Sequence, residues 1–301
     1  MKSLFICLII INSLLAFDYK LKPKKVSTET HCFFGLPEVM DKHNNGNMSN
    51  SCFVDMGTHY LVIDSGPTYL FAQQAYSQMK KIKNLPIAYV INTHTHDDHW
   101  LGNSYYKSIG VKIIGSYGFK DEIKVELTRM QRKISPKAYV ETTQVFPDIL
   151  VKDKNTLIIN ANKVELISVN QKAHTKSDLL VYIPSQKTIF VGDLVFNERL
   201  PSIRDGDIIG WLKALDSIKK MDVKYVVGGH GDLVGKNSLD FTYNYLSKIK
   251  SSVSLLIEEG EDIADVVDAL KMKEYKNINF YDSIHRQNVE TAYRMLEWNS
   301  E

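Results

Sequence analysis

Cysteine is scarce, with three in 301 residues. That excludes a disulfide scaffold and a cysteine-rich zinc module. No charge of one sign dominates: 37 Lys plus Arg face 35 Asp plus Glu, a formal net charge of +2. This balance excludes a nucleic-acid binder whose affinity rests on a large cationic field. It also excludes an acidic disordered chain. Internal repeats and low-complexity tracts are missing, which argues against solenoids and propellers. No Pro/Gly-rich linker divides the chain. The one long apolar run, Leu4 to Leu15, falls short of the roughly 20 residues that a spanning helix needs.

What is present is ordinary for a soluble globular protein: 44% hydrophobic and 24% charged residues. The N-terminus is the exception. Lys2 precedes the apolar run, which is broken only by Asn12 and Ser13, and Ala16 offers a small residue for cleavage. This pattern predicts a signal peptide over residues 1–16 and a mature chain that is exported, periplasmic or secreted. Cys32 and Cys52 remain after cleavage, and in an oxidising compartment they form either a disulfide between two early strands or two buried thiols.

A coarse reading along the chain predicts one α/β domain over residues 27–301. Ser27 to Phe34 reads as an exposed lead into a short strand. Ser51 to Met56 and His59 to Asp64 read as strands of a hairpin turning at Gly57-Thr58. Thr68 to Ile82 suits an amphipathic helix, and Pro86 to Ile91 a strand buried on both faces. Val111 to Gly115 is another short strand, and Phe119 to Ile134 a charged helix. Strands follow at Leu157 to Ile159, Val164 to Val169, Leu179 to Ile183, Thr188 to Val191 and Tyr225 to Val227. Helices are expected at Trp211 to Met221, Leu239 to Glu259, Ile263 to Leu270 and Gln287 to Trp298.

The informative segment is Thr93-His94-Thr95-His96-Asp97-Asp98-His99, directly after the strand ending at Ile91. Residues two apart share one side of an extended chain. His94 and His96 can therefore serve one metal, and Asp98 and His99 a second. His174, Asp193 and His230 each follow an apolar strand, where α/β sheets place their sites. Neutral imidazoles and carboxylates without thiolate suit Zn²⁺, and also Fe or Mn. Two such ions about 3.5–4 Å apart can clamp a bridging hydroxide at neutral pH and polarise a carbonyl or phosphoryl oxygen.

With Asp64, the His94–His99 block, His174, Asp193 and His230 in this order, the chain resembles the metallo-β-lactamase-fold hydrolases. The resemblance implies a four-layer αββα sandwich. It implies that His94, His96 and His174 bind a first ion and Asp98, His99 and His230 a second, with Asp193 bridging them. Asp64 would orient the histidine loop, and Asp98 and Asp193 would carry the catalytic work. The cysteine-ligand β-lactamases show Cys where this chain has Asp193, so the ligand set is more similar to the glyoxalase II-like branch. A weaker likeness is to exported metallohydrolases associated with periplasmic quinoprotein systems. The expected activity is hydrolysis of an ester, thioester, lactone or similar acyl bond of a small-molecule substrate. The alternatives are a true β-lactamase and a non-catalytic metal-binding accessory of a redox partner. Trp100, Asn197 and Arg204 are placed to shape the substrate pocket. No nucleic-acid partner and no membrane span in the mature chain are expected.

Overall fold

The structure is a computed structural model that describes residues 17–123 and 127–298. The expected signal peptide lies outside the described residues. Strands β1 (Lys24–Lys25), β2 (Thr30–Phe33), β3 (Ser51–Asp55), β4 (Tyr60–Ile63), β5 (Ile87–Ile91), β6 (Lys112–Ser116) and β7 (Ile149–Val151) form one sheet, in sequence order. Strands β8 (Lys154–Ile159), β9 (Asn162–Ser168), β10 (Leu179–Ile183), β11 (Thr188–Phe196) and β12 (Tyr225–His230) form a second, in the order β12-β11-β10-β9-β8.

Three apolar clusters bind the layers together. Between the sheets, Val54, Leu61, Ile91 and Ile114 of the first face Val164, Leu179, Phe190 and Val227 of the second. Outside the first sheet, Phe53, Val62 and Ile113 meet Phe71, Ala75 and Met79 of the helix Tyr69–Ile82. Outside the second, Ile189 and Val226 meet Trp211, Leu215, Leu246 and Val289 from helices of the C-terminal third. The result is the helix–sheet–sheet–helix sandwich. Each sheet is covered on both faces, as strands this apolar require.

Local sequence explains where the elements stop. The Thr68 side chain caps the helix Tyr69–Ile82 by accepting from the Phe71 N–H, and Lys80 and Lys81 lie in its last turn, where a cation complements the helix dipole. Cys32 and Cys52 face each other across β2 and β3 and are joined as a disulfide, which decides the alternative left open above.

Four expectations change. The core begins before residue 27, because Tyr19 and Leu21 are already buried and the Tyr19 hydroxyl bonds to Thr68 Oγ1 and to the Asn45 carbonyl. The stretch Ser27–Phe34 is no exposed lead, since Thr30, Cys32 and Phe33 pack inside. The charged helix expected over 119–134 appears as two pieces, Phe119–Glu122 and Leu127–Lys133. Strand β11 runs past Val191 to Phe196, so Asp193 lies within a strand and not beyond it. Gly192, at φ 51°, breaks the regular β11–β12 register there and turns the next side chain into the site. Among the described residues, no helix is long and apolar enough to cross a membrane.

Candidate metal centre

β5 ends at Ile91 between β4 and β6, and the chain then turns into the helix Asp97–Trp100. That turn is pinned from below. The Asp64 carboxylate accepts from the Thr93 N–H (2.8 Å), the Thr93 hydroxyl (2.8 Å) and His99 Nδ1 (2.9 Å). Asp64 itself sits in the left-handed region at φ 55°. This strained backbone is held in place by its own hydrogen bond from N–H to the Ile91 carbonyl. The carboxylate bonds tie Asp64 to both ends of the histidine turn.

The second sheet brings the remaining groups. His174 lies beyond β9, Asp193 within β11, and His230 ends β12. Close approach depends on two glycines. A Cβ at Gly229 would lie 1.9 Å from Asp193 Oδ1, and one at Gly192 2.5 Å from Thr93 Oγ1. His94, His96, His174 and Asp193 each offer one ligand atom, all within 4.8 Å of one another; Asp98, His99 and His230 do the same. Asp193 reaches both groups. Its Oδ2 lies 3.3 Å from His174 Nε2 and 3.2 Å from His230 Nε2, while its Oδ1 lies 3.2 Å from His99 Nε2. Asp98 Oδ2 is 3.7 Å from the Nε2 atoms of both His99 and His230.

The cluster fits metal ions by its unmet bonding. His94 Nε2, His99 Nε2 and Asp193 Oδ1 are buried and make no hydrogen bond of sound geometry among the described residues. Leaving such groups unpaired is costly, and a shared cation removes the cost. The ring nitrogens that face away are mostly tied down. His94 Nδ1 meets Thr93 Oγ1 at 3.0 Å, His230 Nδ1 donates to the Met48 carbonyl at 2.7 Å, and His99 Nδ1 meets Asp64. This fixes which nitrogen faces the cluster. Met48 and Thr93 carry no sequence signal for this role, because any backbone carbonyl or hydroxyl brought close by the fold would serve.

The electrostatics follow from burial and proximity. Burial, reinforced by His99, holds the His94 imidazole well below its ordinary range. Burial opposes charge on His99 as well, but the carboxylates of Asp193, Asp98 and Asp64 win and hold it well above. Burial likewise opposes charge on Asp193, yet His230, His99 and His94 keep it well below the usual carboxylate range. The pattern is one buried anion shared among several imidazoles.

A cavity of about 600 Å³ opens beside His96. Trp100, Leu101 and Ile123 give it an apolar wall, and Lys172, Lys176 and Arg204 bring cations. Trp100 therefore borders the cavity while its ring packs on Phe119 and Phe146. Arg204 borders it too, tied to Asp205. Asn197 does not: it is buried, and its N–H bonds to the His230 carbonyl behind the cluster. Lys172, Lys176 and the Glu122 that accepts from the Lys176 N–H complete the mouth. Sequence reading missed these three, since only the fold brings residues 122 and 176 together.

A family model for the metallo-beta-lactamase superfamily matches residues 44–230, the span that holds every one of these groups. The chain belongs to the metallo-beta-lactamase superfamily. Among curated proteins, it is 27% identical over 143 residues to the hydroxyacylglutathione hydrolase of Pelagibacter ubique, covering 47% of this chain and 50% of that protein. It is 29% identical over 86 residues to the type 2 metallo-beta-lactamase of Bacteroides fragilis, covering 27% and 34%. The type 2 enzyme of Elizabethkingia meningoseptica is 25% identical over 164 residues, covering 52% and 59%. The chain thus spans about a third to three fifths of the length of the curated relatives it matches. A solved metallo-beta-lactamase from Pontibacter korlensis superposes with TM-score 0.58 at 22% identity, over 75% of this chain and 99% of that one. A sec-alkyl sulfatase, PisA1, gives 0.72 at 17% identity, over 92% of this chain and 50% of that one. These likenesses confirm the sandwich fold.

Proposed function

We propose that this protein is an exported, dinuclear zinc hydrolase that cleaves an ester, thioester, lactone or similar acyl bond. The observation that carries the reading is Asp193, a buried carboxylate in reach of histidines from both ligand groups. In this reading His94, His96 and His174 hold one ion, Asp98, His99 and His230 the other, and Asp193 belongs to both. Iron or manganese would fit the same donors. Bound there, two divalent ions supply Lewis acidity and a nucleophile at neutral pH.

The protein's own residues do the rest. Asp64 and Thr93 keep the histidine turn rigid. Asp98, beside both His99 and His230, is placed to pass a proton towards the departing group. Trp100, Leu101 and Ile123 offer an apolar wall to an acyl chain. Export is supported by the N-terminal pattern and by the Cys32–Cys52 disulfide, a bond favoured in oxidising compartments. Residues 1–20 fused to a reporter active only outside the cytoplasm should give signal. A fusion that is made but stays silent removes the exported part of the reading.

Acyl esters and thioesters should be cleaved better than β-lactams. Residues Leu194 to Asn197 after Asp193 carry no cation. Arg199 is turned away, its guanidinium 4.0 Å from the Phe280 ring centroid, and Arg204 is bound to Asp205. Lys172 and Lys176 border the cavity only as exposed side chains at its mouth, and a missing charge-assisted contact to the lactam carboxylate beside Asp193 costs about 1.5–3 kcal/mol, roughly 10- to 150-fold. Metal analysis followed by kcat/KM for a nitrocefin-type lactam, an aryl ester and a thioester tests this. A lactam tenfold better than both acyl substrates establishes the β-lactamase reading, which the names of two relatives favour. Two bound ions without turnover of any of them would favour the redox-accessory role.

A further inference from the structure

The outer nitrogens of the clustered histidines differ in their surroundings, that of His174 (Nδ1) being buried with no hydrogen bond among the described residues. Those of His94, His99 and His230 are bonded deep in the core. His96 is different. Its Nδ1 turns inward, 3.0 Å from His174 Nε2, and its Nε2 points to the cavity. There it meets Asp205 Oδ2 at 3.3 Å. Asp205 is 46% exposed, so this one tether stands at the mouth where substrate enters.

Asp205 is not a loose surface acid. Arg204 grips the same oxygen through Nε (3.0 Å) and Nη2 (2.7 Å). The turn that carries it is sewn to the loop of His174. Asp207 N–H bonds to the Ala173 carbonyl at 2.7 Å, Gly206 N–H bonds to the Ile203 carbonyl, and a Cβ at Gly206 would lie 2.5 Å from Ala173 O. Immediately beyond, the Asp207 side chain caps the helix Ile208–Lys219 by accepting from the Gly210 N–H at 2.8 Å. The backbone on either side of Asp205 is therefore fixed relative to His174.

We infer that Asp205 is a positioning residue for His96, and that Arg204 holds Asp205 in that role. A carboxylate on the outer nitrogen fixes the ring so that Nδ1 faces the cluster, and makes that nitrogen a stronger donor to a metal ion. The inference rests on the metal-centre reading above and adds to it a residue outside the ligand set. It also gives Arg204 a duty other than binding substrate.

The test is metal affinity, measured on the full mature chain by competition with a chromophoric zinc chelator. Wild type, Asp205→Asn, Asp205→Glu and Arg204→Met are compared, with thermal midpoints of the metal-free proteins recorded. Asp205→Asn should weaken one of the two zinc ions by about 10- to 100-fold and leave the other unchanged. Arg204→Met should weaken the same ion less, and Asp205→Glu should restore most of the affinity. The metal-free midpoints should agree among all four, since Asp205 is half exposed. A purely structural role would instead lower those midpoints and loosen both ions together. If wild type binds two ions and Asp205→Asn binds both equally well, the inference is overturned while the metal centre stands. If wild type binds none, the metal-centre reading fails and takes the inference with it.

Discussion

Replacing Asp193 by Ala should abolish most activity and reduce the zinc content below two ions per chain. The carboxylate lies within 3.3 Å of His99, His174 and His230 nitrogens, so it touches members of both ligand groups. Without it, the five clustered imidazoles converge on a space that has lost its shared anion. Electrostatic stabilisation at such centres amounts to several kcal/mol. A loss of about 4 kcal/mol lowers kcat/KM by roughly a thousandfold. The measurement is elemental analysis together with kcat/KM on the best acyl substrate. Two retained ions and activity within tenfold of wild type would refute the bridging role. Gly229→Ala offers a second approach to the same atom, because its new methyl would collide with Asp193 Oδ1 without removing any ligand.

Trp211→Ala should give the largest loss of stability. Trp211 is fully buried, its Nε1 donates to the Leu194 carbonyl at 2.9 Å, and its ring centroid lies 4.9 Å from that of His174. Removing a buried Trp side chain costs about 3–5 kcal/mol through lost transfer energy and an unfilled cavity. The abandoned Leu194 carbonyl adds to that. Denaturant unfolding of the metal-free protein, read as a shift in midpoint at constant slope, measures it. A loss under about 1 kcal/mol would mean that the helix Ile208–Lys219 collapses into the space, against the close packing that interiors of this kind show.

The sequence makes some of this plain and hides the rest for physical reasons. The His94–His99 block is legible because its spacing is local: one turn after one strand sets four donors at once. The helix Tyr69–Ile82 is legible for the same reason, through its cap at Thr68 and its apolar period. Asp193 is readable as a ligand type, but its place inside β11 depends on the bulge at Gly192 and the parallel pairing with β12. The tethers at Met48 and Asp205 are readable only in three dimensions. Asn197 shows the converse. It is polar and close in sequence to Asp193, yet the chain turns it behind His230, away from the cavity. The pairing of Cys32 with Cys52 follows from a strand register that composition does not specify.

Each ligand group draws from both sheets: His94 and His96 join His174 and Asp193, while Asp98 and His99 join His230. Residues 17–151 carry the first sheet and residues 154–230 the second, so neither half of the chain can complete either group alone. Ions bound as proposed are therefore cross-links across the central seam. By mass action, each would add about 2.7 kcal/mol to folding at a free concentration a hundred times its dissociation constant. Zinc supply would then govern how much of the protein is folded as well as how much is active, and a chelator would act as a denaturant of the seam.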